Sequence, residues 1–127
     1  MISLSVLIVD SDTISIKLIT SMLQKTGCNF EFTESSSAVN AASILKTKQK
    51  FDIIIVDLNL SGIDGIELLR IIKAEDKLNS IPVIITTSDD TRKNEAINFG
   101  ASSFLVKPIL QKTLQEKFKN VLKPCKS

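Results

Sequence analysis

An α/β domain built on a doubly wound parallel sheet is the fold class this sequence predicts, and three observations predict it. Short runs of Val, Ile and Leu alternate with amphipathic segments along the chain. The runs at 52–56 and 82–86 are apolar but for Asp52 and Thr86 at their ends, as expected of strands covered on both faces. Four runs end on a residue able to do phosphate chemistry: VLIV before Asp10, IIIV before Asp57, VIIT before Thr87 and FLV before Lys107. In an open parallel sheet the C-terminal ends of all strands share one edge, where ligands bind. Two carboxylates, a hydroxyl and an ammonium are therefore expected in one cleft.

The first strand is expected over Leu4–Val9. After it, Ile14, Leu18 and Met22, with Ile19 and Leu23, make a helical stripe that Gly27 ends. The second strand, Asn29–Thr33, alternates more and reads as a sheet edge. Ala38, Ala41, Ala42 and Leu45 form the second helical stripe. The third strand, Asp52–Val56, leads into Ile66, Leu68, Leu69 and Ile72. The fourth, Pro82–Thr86, leads into the weaker stripe Ala96, Ile97 and Phe99 before Gly100. The fifth, Ser102–Val106, leads into Leu114, Phe118, Val121 and Leu122. Strand–helix alternation implies right-handed crossovers in a parallel sheet. Five such units commonly take strand order 2-1-3-4-5, the flavodoxin-like arrangement, with five helices. Its switch point lies between strands 1 and 3, where Asp10 and Asp57 sit. One domain over 1–127 is expected, with a core over about 4–122.

Composition narrows the function. A formal net charge of +2 is too mild to argue for nucleic acid. The basic excess at Lys112, Lys117, Lys119, Lys123 and Lys126 reads as a solvated helix face and a fraying end. Trp and Tyr are absent, so the core must be mostly aliphatic. His is absent too, which leaves acid/base work to carboxylates or lysines. Cys28 and Cys125 form no CxxC and have no His to complete a zinc site; reduced thiols are expected. The start, MISLSVLIVD, lacks a basic region and soon meets Asp10, so it reads as a strand rather than a signal peptide. No run approaches the roughly 20 apolar residues of a membrane span. A cytoplasmic protein is expected, with neither nucleic acid nor membrane as partner.

Asp10 and Asp57 at adjacent strand ends would repel each other unless a cation stood between them. A hard cation with oxygen ligands, Mg²⁺ above all, fits this composition. Asp12 is a further candidate ligand, although it also suits the N-cap of the first helix. Asp57 ends an apolar strand, which holds it rigid in a low dielectric, and a carboxylate can attack phosphorus. The structural alternative is an Asp that starts the turn LNLSGIDG. Thr87 is a candidate hydroxyl donor to a phosphoryl oxygen, but Thr86 and Ser88 adjoin it and a β-branched residue in a strand needs no further reason. Lys107 is placed to pair with a phosphoryl group and a carboxylate, against the common fate of a solvated Lys before Pro108.

These residues in this order resemble the receiver domain of two-component response regulators, over about Leu4 to Leu122. The turn Ser61-Gly62-Ile63-Asp64-Gly65 is similar to the family's Pro-x-Met-Asp-Gly, with Ser61 in place of Pro, and GASSFLVKP is close to the family pattern. The resemblance implies that a sensor histidine kinase or phosphotransfer protein passes a phosphoryl group to Asp57, with Thr87 and Lys107 reading it. It implies Mg²⁺ held by Asp10, Asp57 and the backbone carbonyl of Asn59, and a cis Lys107–Pro108 bond. It implies a switch through Thr87 and the aromatic Phe104. A downstream protein would then be engaged through helix 4, strand 5 and helix 5, as a monomer or a phosphorylation-linked dimer. Asn59 and Asp89 match positions that tune hydrolysis of the acyl phosphate. Enzymatic turnover beyond self-phosphorylation and self-dephosphorylation is not expected.

One departure stands out. The family usually has two adjacent acids after strand 1, and here Ser11 occupies the second position. Weaker Mg²⁺ binding follows unless Asp12 swings in. That departure keeps open a receiver-like interaction module that works without phosphate. An enzyme reading is a haloacid-dehalogenase-like phosphatase, in which VDSDT would supply Asp10 as nucleophile and Asp12 as acid/base. It leaves Asp57 without a role, and Asp89-Asp90 precedes Lys107 where that family places its acids after the Lys. A flavin carrier is disfavoured because acids after strand 1 repel phosphate. No DNA-binding segment is recognised, so the chain reads as acting through protein contacts or as part of a longer one.

Overall fold

The computed structural model describes residues 3–47, 49–60 and 62–119. Five parallel strands, β1 (Ser3–Val9), β2 (Asn29–Ser35), β3 (Ile53–Asp57), β4 (Val83–Thr87) and β5 (Ser103–Val106), form one sheet in the order β2-β1-β3-β4-β5. The helices between and after them are α1 (Thr13–Gln24), α2 (Ala38–Leu45), α3 (Gly65–Ala74), α4 (Lys93–Asn98) and α5 (Gln111–Lys117). A 3-10 turn over Asp90–Arg92, which the sequence did not signal, precedes α4. The expected topology and the edge position of the second strand hold.

Strand pleating sorts the core into two layers. Leu7, Val9, Ile54, Val56, Val83, Ile85 and Phe104 pack with α2, α3 and α4. Val6, Ile8, Ile53, Ile55, Ile84 and Leu105 pack with α1 and α5. Side chains alternate faces with period two. Continuing that alternation puts Asp10, Asp57 and Thr86 on the α1/α5 face and Thr87 on the other. The register agrees, since Val9 pairs with Val56 and Asp57 with Thr86.

Two apolar stripes differ from expectation. In α1 the buried residues are Ile16, Ile19 and Leu23, while Ile14 and Leu18 are 67% and 55% exposed. The stripe Ile14, Leu18, Met22 advances by four residues per step. It therefore drifts round a helix of 3.6 residues per turn, and only Met22, partly buried, reaches the core. In α4 only Ala96 is buried; Ile97 and Phe99 are exposed, because so short a helix lays a single turn on the sheet. Phe99 instead lies under the Arg70 guanidinium, 5.1 Å from ring centre to Cζ. The third stripe is buried at Ile66, Leu68, Leu69 and Ile72, and the last at Leu114 and Phe118. The positions Ser61, Val121, Leu122, Lys123, Cys125 and Lys126 lie outside the described residues. Cys28 is disulfide-bonded, which corrects the expectation of reduced thiols at that residue. Pairing depends on which side chains the fold brings within reach, and sequence spacing does not report that.

Candidate functional site

The site lies where β1 and β3 end. Asp10 and Asp57 close two apolar strands, and burial leaves them 1% and 6% exposed. The Asp10 amide continues the β1–β2 ladder by donating to Ser35 O at 2.9 Å. Leu58 does the same on the other side, donating to Thr86 O at 2.9 Å. These ladder bonds aim both carboxylates from a rigid sheet rather than from loops.

Lys107 joins them. Its amide donates to Thr87 O at 2.7 Å, which extends the β4–β5 ladder by one residue and launches the side chain across the strand ends. Its Nζ donates to Asp10 Oδ2 at 3.0 Å, Asp57 Oδ2 at 3.2 Å and Ser15 Oγ at 3.2 Å. The Lys107–Pro108 peptide is cis, as the resemblance implied. Burial works against the Lys107 charge. The Asp10 hydrogen bond and the Asp57 and Asp10 charges outweigh it, and the ammonium is held above its ordinary range. Burial pushes the Asp10 carboxyl up, against the Asp12 amide and Lys107.

The other expected residues are placed as follows. Asp12 is the N-cap of α1: its Oδ1 accepts from Ile14 N at 3.0 Å and its Oδ2 from Ser15 Oγ at 3.2 Å. Both its oxygens are thus engaged away from Asp57. Asn59 is exposed and its backbone N–H donates to Asp57 Oδ1 at 3.2 Å. Thr87 is 1% exposed, and its Oγ1 accepts from Asp89 N at 3.2 Å. Among the described residues the Thr87 hydroxyl makes no hydrogen bond to Asp57, Asp10 or Lys107. The Asp89 carboxylate accepts from Thr91 N at 3.0 Å and Thr91 Oγ1 at 2.7 Å, and these bonds, the backbone one foremost, lower its pKa. Phe104 lies inward, 6% exposed, in the layer of α2 to α4. Ser11 is exposed at the rim.

Sequence reading missed three participants. Ser15 braces Lys107, and the only hint was its position three residues after the Asp12 cap. Thr86 faces the Asp57 layer with a buried hydroxyl that finds no partner among the described residues. Arg92 clasps the two loops that follow β3 and β4. Its guanidinium donates to both Asp64 oxygens, Nη1 to Oδ1 at 3.2 Å and Nη2 to Oδ2 at 2.6 Å, and its Nε to Glu95 at 2.8 Å. Asp64 also N-caps α3 through Ile66 N. The tight turn beneath needs Gly65. A Cβ there would collide with the Asp57 carbonyl oxygen and lie 2.7 Å from Leu58 Cα.

Mg²⁺ needs one or two carboxylates and takes its other ligands from substrate oxygens and water. Asp10 and Asp57 meet that requirement, both buried and sharing an edge. No third acid joins them: among the described residues, no group of three or more His, Cys, Asp and Glu gathers to hold a metal. Beside Lys107 a groove of about 390 Å³ opens between α1 and Ile109, lined by Ile14, Leu18 and Met22. No helix among the described residues is long and apolar enough to cross a membrane.

Comparison with known proteins agrees with this geometry. A chemotaxis protein, CheY-3 of Vibrio cholerae, is 31% identical over 121 residues, covering 94% of this chain and 92% of its own. The crystal structure of chemotaxis protein CheY4 from the same species matches with a TM-score of 0.80 at 26% identity, over 95% of this chain and all of its own. The receiver domain of a sensor histidine kinase from Pseudomonas aeruginosa superposes with a TM-score of 0.82 at 22% identity, over 94% of this chain and 97% of its own. That domain was crystallised with a magnesium ion coordinated in its active site cleft. The sequence pattern of the response regulator receiver domain matches residues 6–119. With its strand order, its strand-end acids and its cis Lys-Pro step all in place, the chain belongs to the response regulator receiver domain family.

Proposed function

We propose that this protein is a phosphoacceptor switch in which Asp57 takes a phosphoryl group from a sensor histidine kinase or a phosphotransfer protein. One observation carries the reading: the Lys107 ammonium spans Asp10 and Asp57 at the ends of two central strands. An Asp57 oxygen forms the bond to phosphorus as the donor's bond to phosphorus breaks. Lys107 then has a donor to offer the phosphoryl oxygens. Asp10, Asp57 and the Asn59 carbonyl would hold Mg²⁺, and Asp12, occupied as a cap, would not. Bound there, Mg²⁺ would hold phosphoryl oxygens and offset their charge.

The output is a change in protein binding rather than catalysis of an external reaction. Thr87 is the hydroxyl that would exchange its Asp89 amide partner for the phosphoryl group, and Phe104 the aromatic that follows it. Exposed apolar residues on α4, β5 and the approach to α5, namely Ile97, Val106 and Leu110, support a partner face there. Phosphorylation and partner binding then stabilise each other, because both favour one conformer. A cytoplasmic setting suits this role, as a monomer or a phosphorylation-linked dimer. Asn59 and Asp89 are polar and sit where they can orient a water, so the acyl phosphate is expected to last minutes or less.

Ser11 favours one second reading, an interaction module that works without phosphate. The phosphatase reading built on Asp10 leaves Asp57 without a role. Acetyl phosphate or beryllofluoride with Mg²⁺ separates what remains. An adduct on Asp57, seen by mass or by fluorine NMR and absent from Asp57→Asn, is the expected result. A wild-type protein that takes no adduct, or an Asp57→Asn protein that still takes one, overturns the proposal.

A further inference from the structure

The acidic pair already has a cation in contact with it, and that cation is held by a residue outside the strand-end set. An ammonium has three hydrogens to donate and no lone pair to accept with. On Lys107 all three are assigned: to Asp10 Oδ2 at 3.0 Å, to Asp57 Oδ2 at 3.2 Å and to Ser15 Oγ at 3.2 Å. The Ser15 hydroxyl accepts from Lys107 and so has its own hydrogen to give. It gives it to Asp12 Oδ2 at 3.2 Å. The remaining Asp12 oxygen accepts the Ile14 amide. One hydroxyl thus fixes two charged groups. It locks the ammonium over Asp10 and Asp57, and it ties the Asp12 carboxylate back against α1.

Both constraints act in the same direction on a divalent cation arriving at Asp10 and Asp57. The ammonium repels it and competes for the same carboxylate oxygens. The Asp12 carboxylate, next in the chain to Ser11 and the candidate to replace the charge missing there, is withheld. We propose that Ser15 is a positioning residue of the cleft whose hydroxyl, by locking Lys107 onto the acidic pair and holding Asp12 away, limits how tightly the cleft takes a divalent cation. The proposal rests on the reading of Asp10 and Asp57 as cation ligands. It adds that the weakness of this cleft has two sources: an acid absent at Ser11 and an acid held back by Ser15.

The test needs no phosphorylation. Mg²⁺ alone is titrated into wild type, Ser15→Ala and Ser15→Thr, followed by backbone amide shifts of Asp57 and Asn59 in NMR, since the chain has neither Trp nor Tyr. Ser15→Ala is expected to bind Mg²⁺ more tightly by on the order of tenfold, the lower end for one lost hydrogen bond to a charged group. Ser15→Thr keeps the hydroxyl and is expected to stay at the wild-type affinity. In metal-free protein the Lys107 ammonium protons should exchange faster in Ser15→Ala than in wild type. Saturable binding with Ser15→Ala equal to or weaker than wild type overturns this proposal and leaves the cation reading standing. No saturable shift in any of the three proteins overturns both.

Discussion

Two ion-pair clusters sit at the same edge of the sheet, one deep and one shallow. In the deep one Lys107, with a side chain 21% exposed, meets Asp10 and Asp57 at 1% and 8%. In the shallow one Arg92 and Asp64 are 31% and 38% exposed. The shallow pair has the better geometry, since a guanidinium fork meets both oxygens of one carboxylate. The deep one has the worse balance: two acids share one cation, and water is mostly excluded. Geometry favours structure in the first case, and unmet charge favours chemistry in the second. Arg92–Asp64 closes a loop-to-loop contact, while Asp10–Lys107–Asp57 leaves a net negative site next to a groove.

The largest expected effect comes from breaking the deep cluster. Lys107→Met leaves two carboxylates facing each other in a low dielectric, with a loss on the order of 3 kcal/mol. Urea unfolding at neutral pH measures it, and a loss comparable to that of Arg92→Gln would erase the distinction between the clusters. Next is Ser11→Asp, which adds a unit charge beside the deep cluster only. Mg²⁺ should bind about tenfold more tightly, as one more anion near the cation implies. Equal affinities would mean that Ser11 is not at the cation site. Arg92→Gln should cost about 1 kcal/mol or less, because partly exposed pairs are screened. The same urea experiment reads it.

The smallest effect is in acid, where the two clusters should slope in opposite directions. Burial raises the Asp64 carboxyl, but the Arg92 hydrogen bond and the Ile66 amide outweigh it, so its pKa falls below 3.8. A depressed folded value gives stability that is present above the unfolded value and lost as pH falls through the folded one. The shallow cluster therefore weakens as pH falls below 3.8 and through the depressed folded value. Asp10 is raised above 3.8, chiefly by burial. Its folded form takes up a proton first, so that cluster regains stability as pH falls through the raised value. Thermal midpoints from neutral pH to pH 2 should show Arg92→Gln flattening only the lower part of the curve. Flattening at higher pH instead would assign the two slopes wrongly.

Much of this was legible beforehand. Four apolar runs became strands, because burial on both faces demands continuous apolar residues, and the alternating segment became the edge strand β2. Asp10, Asp57, Thr87 and Lys107 reached one edge because parallel topology aligns strand ends. What failed to show was partnership. Asp12 was equally a ligand or a cap from its position alone, and only the closeness of Ser15 and Ile14 made it a cap. Thr87 belonged to the expected set, yet pleating turns it to the face opposite Asp57 and leaves Thr86 beside that carboxylate. Nothing in the chain pointed to Arg92, whose partner lies 28 residues away. The α1 stripe misled because spacing by four reports a helix without saying which side of it meets the sheet.

The alternation of strand and helix, the layering of the core and the residue types at the strand ends are written in the chain. Those follow from local periodicity and from the cost of burying backbone polar groups unpaired. The charge pattern of the cleft came from folding. Lys107 meets Asp10 across 97 positions, Asp57 across 50 and Ser15 across 92. Contacts of that range depend on register, side-chain reach and which donors remain unspent, and these exist only once the sheet has formed.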